Sequence, residues 1–209
     1  RAVFQELVER AESHESDASG EDGDSPEPAL EWAYGPLENG VKSVVRGYSK
    51  LLMLDAAGGL GKTYQIKRVL QDELGPAGAN TQSYEQGEFG WLYKAGYTTP
   101  LALFESLWEA RHGDVLFLDD MSGITKNDKC VEMLKAATDT EGPENMVTYE
   151  SSSPPELGAD NREIETFNFE GKIIMSFNDT PDNRHFDALQ DRAWLGSAYQ
   201  LDFTYEERI

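Results

Sequence analysis

The chain has 209 residues, with 39 Asp or Glu against 18 Lys or Arg, a formal net charge of −21. That length suits one domain able to bury a real core, and 39% hydrophobic with 11% aromatic residues is a globular composition. A surface so negative repels phosphate backbones, which argues against broad nucleic-acid binding by this domain alone.

Residues 1–12 carry apolar side chains at Val3, Phe4, Leu7, Val8 and Ala11, the spacing of a short helix. Residues 13–29 are acidic, rich in Ser, Gly and Pro, and read as a disordered linker, so the compact domain is expected over 30–209. A helix is expected around Gly40–Tyr48, then a strand at Lys50–Leu54, a glycine loop, and a helix from Lys62 to about Leu74 that GPAGAN ends. Residues 81–97 are aromatic and suggest a short strand plus a loop. Thr99 as N-cap, Pro100 at the first helical position and Gly113 as a stop bracket another helix. DVLFLDD (114–120) reads as a buried strand ending in two acids, KCVEMLKAATD (129–139) as amphipathic helix and MVTYE (146–150) as strand. A polar loop follows at 151–162, then the buried strand KIIMSFND (172–179) and a short helix or turn at HFDALQDRAW (185–194). Apolar strands alternating with helices predict an α/β fold with a mainly parallel sheet covered on both faces.

Four motifs carry chemistry. Ala56, Ala57, Gly58, Gly59, Leu60, Gly61, Lys62, Thr63 and Tyr64 follow a strand and open a helix. Glycines there let successive N–H groups face one phosphate, and the helix dipole adds to them. Lys62 would reach the β- and γ-phosphates, and Thr63 would hold Mg²⁺ through its hydroxyl. The strict pattern begins with Gly where this chain has Ala56, and the bland alternative is a glycine-rich turn with an exposed lysine. Asp119 and Asp120 end an apolar strand, at the edge where α/β sheets bind ligands; Asp119 is suited to the Mg²⁺ shell and Asp120 to polarising the attacking water. An isolated acid pair is otherwise a turn or a helix cap. Asn178 ends the next buried strand and could orient that water, although Asn-Asp after a strand is also ordinary turn chemistry. Arg192 could donate to the charge developing on a transferred phosphoryl group, with Arg184 as a second candidate; its plain alternative is an ion pair with Asp191 or Asp187.

The order of these motifs resembles the AAA+ ATPases, a branch of the P-loop NTPases. AAGGLGKT is similar to their Walker A loop, VLFLDD to Walker B, Asn178 to sensor 1, and ALQDR to the stretch that carries the arginine finger. The resemblance covers roughly residues 36–203, and TTPLALFESLWE, GDVLFLDDMSG and KCVEMLKAATD are most similar to AAA+ ATPases of phages and archaeal viruses. It implies a three-layer α/β/α sandwich, ATP with Mg²⁺ as cofactors, and a homo-oligomeric ring with the finger supplied in trans. The second Walker B acid is Asp120 where the family commonly has Glu, and the family's helical lid is expected to be absent or truncated, since the chain stops at Ile209.

The family also threads polymers past an aromatic loop after its second strand, and Phe89 to Tyr97 is aromatic in about that place. Such a loop could grip a peptide or stack on single-stranded bases, or simply pack. The charge favours a protein client over nucleic acid. Acids along the whole length suggest a salt-loving source rather than an acidic tail on an ordinary protein. Cys130, the single cysteine, excludes internal disulfides and reads as a small buried residue on a helix. His14, His112 and His185 lack ligand spacing. With no apolar run of about 18 residues and no signal-peptide core, no membrane role and a cytoplasmic setting are expected, the host cytoplasm if the source is viral. The absence of an initiator Met suggests a segment of a longer chain.

Two functions follow. One is an Mg²⁺-dependent ATPase coupled to remodelling of a protein or nucleoprotein complex, such as loading or unwinding in viral replication. The other is a nucleotide-gated assembly module with little turnover. A nucleic-acid motor is a third, which the charge does not suggest.

Overall fold

The apolar runs at 51–54, 115–118 and 173–175 have nothing to gain from solvent on either side, and they become the centre of a parallel sheet. A computed structural model describes residues 27–56, 58–78, 89–140, 142, 144–178, 184–193 and 199–201. The main sheet contains β1 (Leu51–Ala56), β2 (Trp91–Ala95), β3 (Val115–Asp119), β8 (Lys172–Phe177) and β9 (Tyr199–Leu201), in the order β2-β3-β8-β1-β9. Every pairing in it is parallel. The register sets Leu51 and Leu116 both against Ile173, and Asp119 against Ser176, so the carboxyl ends of β1, β8 and β3 form one edge.

Alternate residues face opposite layers, as the pleat requires. Leu52, Leu54, Val115, Phe117 and Ile174 pack under α1 (Glu27–Val45) and α2 (Lys62–Leu74). Leu51, Met53, Leu116, Leu118, Ile173 and Met175 pack under α3 (Pro100–Ala110) and α5 (Asp128–Ala137), and the four-residue α4 (Ser122–Thr125) adds Ile124. The result is an α/β protein whose parallel central sheet is flanked by helices on both faces. Cys130 is fully buried on α5, as its sequence context suggests.

Local signals account for most boundaries. Thr99 caps α3 by accepting from Ala102 N–H at 3.2 Å, with Pro100 behind it, and α2 stops at Gly75, whose φ of 80° suits glycine. Three expectations need correction. The first helix spans Glu27–Val45 rather than beginning near Gly40, so it takes in 27–29 from the expected linker; Leu37, Val41 and Val44 are buried at helical spacing, which outweighs Pro36 and Gly40 inside it. MVTYE supplies β4 (Met146–Thr148), but that strand pairs antiparallel with β7 (Thr166–Asn168) outside the main sheet. The expected loop at 151–162 holds part of a small hairpin, β5 (Glu156–Leu157) with β6 (Arg162–Glu163). HFDALQDRAW is helical in α6 (Arg184–Gln190). The helix expected at 1–12 and most of the linker lie outside the described residues. No described helix is long and apolar enough to cross a membrane.

Candidate functional site

The loop between β1 and α2 answers the question raised by Ala56. That residue is the last of β1, paired with Leu201, and among described non-glycine residues only Asp120 and Asn161 have left-handed φ. Position 56 therefore does not require glycine. Gly59 and Gly61 do, with φ of 83° and 70°. Gly61 is the N-cap of α2 without a capping side chain, so the first N–H groups of that helix are left for another acceptor. Leu60 is buried in the core, and its carbonyl accepts from the Tyr34 hydroxyl of α1, which ties the loop to the helix layer. Gly58 is exposed, 3.7 Å (from where a Cβ would stand) to Asn178 Oδ1. Tyr64 points outward, 69% exposed, and Ala57 lies outside the described residues.

Five of the predicted side chains meet neighbours at this edge. Lys62, only 5% exposed, donates from Nζ to Asn178 Oδ1 at 2.6 Å. Asn178 Nδ2 in turn donates to Asp120 Oδ2 at 2.8 Å. One amide thus joins the loop lysine to the second acid. Beside this relay, Thr63 Oγ1 donates to Asp119 Oδ2 at 2.9 Å. Asp120 sits just beyond β3 with φ 47°, a left-handed conformation that Asp tolerates better than most residues, and its N–H is held by the Ser176 carbonyl at 3.0 Å. That turn aims its exposed carboxylate to the open side while Asp119 stays 8% exposed beneath.

Two residues of the site were not foreseen. Ser176, fully buried on β8, donates to Asp119 Oδ1. Tyr93 on β2 donates its hydroxyl to Asp119 Oδ2 at 2.9 Å. Burial, then the hydrogen bond to Asp119 and its negative charge, push the Tyr93 phenol up to about 12, so it remains a donor at any ordinary pH. The only sequence signal for Ser176 was a lone hydroxyl inside an apolar strand. Of the aromatic stretch Phe89 to Tyr97, which could grip a polymer or simply pack, Trp91 to Ala95 form strand β2 and its first residues pack. Trp91 and Leu92 are buried in β2, Trp91 Nε1 donates to the Gly75 carbonyl at 2.8 Å, and Tyr97 is left exposed at the strand's end.

Arg192 is not brought to this edge. It lines a cavity with Gly47, Ser49, Lys50 and Asp139, at the amino end of β1, on the opposite side of the sheet. Its guanidinium donates to the Ala188 carbonyl at 3.4 Å, and among the described residues it makes no ion pair with Asp187 or Asp191. Arg184 opens α6, and its side chain lies outside the described residues.

The oxygen set at Thr63 and Asp119 fits a small hard cation. In an octahedron with metal–oxygen distances of about 2.05 Å, adjacent ligands stand about 2.9 Å apart, the spacing of Thr63 Oγ1 and Asp119 Oδ2. No cluster of three or more acids, His or Cys occurs among the described residues. Chemically, the edge offers a buried ammonium, loop amides, a hydroxyl–carboxylate pair and an exposed second carboxylate tied to an amide.

No protein-family model matches the chain. The chain is similar to an uncharacterised 36.7 kDa protein from the nrdC-mobD intergenic region of Enterobacteria phage T4, 30% identical over 147 residues. The match covers 69% of this chain and 39% of the phage protein, so the chain spans about two fifths of that relative's length.

Proposed function

We propose that the chain is the core of an Mg²⁺-dependent ATPase of AAA+ type. The observation that carries this reading is the convergence of Lys62, Thr63, Asp119, Asp120 and Asn178 on one sheet edge, each within hydrogen-bond distance of another. In this reading the N–H groups of Gly58 to Thr63 and the Lys62 ammonium bind the β- and γ-phosphates. Thr63 and Asp119 would hold Mg²⁺, which would offset the negative charge of the phosphates. Asp120 takes the proton of the attacking water, and Asn178 orients that water once Lys62 has turned from it to phosphate. Arg192, which lies at the amino end of β1 and away from its own site, would serve a neighbouring subunit in a ring. The acidic surface favours a protein or nucleoprotein client over direct nucleic-acid contact, and the phage relative favours a viral setting.

A second reading, a nucleotide-gated assembly module with negligible turnover, is favoured by one observation. Asp120 is a methylene shorter than Glu and is already bound by Asn178. Steady-state ATP hydrolysis in molar KCl with Mg²⁺ separates the two, measured beside Lys62→Ala and Arg192→Ala. Turnover lost in each variant and regained on mixing them is the outcome expected of shared sites. Nucleotide binding without turnover would establish the switch, and no binding at all would end both readings.

A further inference from the structure

Asp119 Oδ2 accepts two hydroxyls, Thr63 from α2 and Tyr93 from β2, while Oδ1 accepts Ser176 from β8. Tyr93 is itself fixed. Its ring centroid lies 5.4 Å from that of Phe117, its cross-strand partner, and Lys67 Nζ stands 3.3 Å from the Tyr93 ring centroid. Lys67 and Thr63 are four apart on α2, so one face of that helix supplies both the hydroxyl at the carboxylate and the cation on the ring. Thr63 would turn its lone pairs to a cation on loading, and Ser176 holds the far oxygen. Tyr93 is then the group left to hold Oδ2 in place.

From this geometry we infer that Tyr93 is a positioning residue for the cation at Thr63 and Asp119. It is a phenol donor that holds the carboxylate oxygen in the orientation Mg²⁺ needs, and is itself clamped by Lys67. A carboxylate held at Oδ1 alone can still pivot about its Cβ–Cγ bond, and each cation capture would have to halt that motion. Groups that orient a metal ligand from behind commonly change metal affinity 10–100-fold when removed. The inference rests on the metal–nucleotide reading above.

The test is Tyr93→Phe, which keeps the ring, its packing on Phe117 and the seat for Lys67, and removes only the hydroxyl. A fluorescent ATP analogue is titrated with the full chain at a series of free Mg²⁺ concentrations, and again in EDTA. Expected is a roughly tenfold rise in the Mg²⁺ needed for half-maximal tight binding, with metal-free affinity unchanged. Lys67→Gln, which loosens the ring but keeps the hydroxyl, is expected to shift the same curve by a smaller factor in the same direction. A Tyr93→Phe curve that overlays the parent overturns the inference while leaving the proposed function standing. A curve shifted to lower Mg²⁺ overturns it too, since the phenol would then compete with the cation. Equal losses with and without Mg²⁺ would show a merely structural role. If the parent chain itself shows no Mg²⁺-dependent binding, the proposed function fails and this inference with it.

Discussion

Replacing Asn178 with alanine removes two hydrogen bonds at once, the acceptor of Lys62 at 2.6 Å and the donor to Asp120 at 2.8 Å. The first involves an ammonium only 5% exposed, and a hydrogen bond to a charged group contributes about 1.5–3 kcal/mol. The second is exposed and contributes at most about 1 kcal/mol. Lys62 has a further interaction that buffers its loss, so a net cost near 2 kcal/mol is expected. In a domain of this size that lowers the melting temperature by about 4–8 °C. Saturating Mg-ATP supplies phosphate oxygens in place of the lost amide, so the gap between parent and variant should shrink by half or more. Thermal unfolding of both proteins, with and without Mg-ATP, reads the two effects separately. A gap that stays the same on saturation would refute the claim that Lys62 exchanges Asn178 for phosphate. A variant that melts with the parent in the absence of nucleotide would refute the relay itself.

Ala56→Gly, at an extended strand position, should leave ATP-analogue affinity unchanged and cost no more than about 1 kcal/mol of stability. Gly61→Ala instead forces a side chain into φ 70° with Tyr34 Oη 3.2 Å away, and should cost about 1–2 kcal/mol and weaken binding; equal effects of the two changes in the same titration would discredit the loop reading. Asp120→Asn should keep nucleotide affinity and lower turnover by about 10²–10⁴-fold, and single-turnover hydrolysis at the parent rate would remove Asp120 as the base. Burial pushes the Cys130 thiol up to about 11 from 9.0, so the unfolded chain ionises first as pH rises. Its contribution is whole below pH 9.0 and is lost on the way to about 11, with a slope of up to about 1.4 kcal/mol per pH unit. Tyr93 adds a similar loss only between 10.0 and about 12, whereas burial lowers Lys172 from 10.5 and acts with the opposite sign, so the thiol's share between pH 9 and 10 is the difference between the urea-unfolding slopes of the parent and of Cys130→Ala. Cys130→Ala should flatten that interval, and an unchanged slope would count against the burial argument.

What could be read from the chain, and what could not, divides along sheet order. Asp119, Asp120 and Asn178 were legible because they close apolar runs, and the end of a buried parallel strand is where a polar side chain must emerge, while Lys62 was legible from the glycines that precede it at the start of a helix. Ser176 and Tyr93 were not, because their roles depend on which strands are neighbours and in what register. Local signals also misled where tertiary burial overrode them. Pro36 and Gly40 look like helix breakers, yet Leu37, Val41 and Val44 hold α1 through both. The two-residue strands β5 and β6 are too short to leave a periodic trace at all. Sheet order also explains the relay. β8 stands between β1 and β3, so Asn178, the residue that follows it, reaches both the loop lysine after β1 and the acid after β3. Were β1 and β3 adjacent, Thr63 could still meet Asp119, but Asn178 would have no place between Lys62 and Asp120. An amide in that intermediate position reports on both at once, which is why Asn178 is the most informative residue to change first.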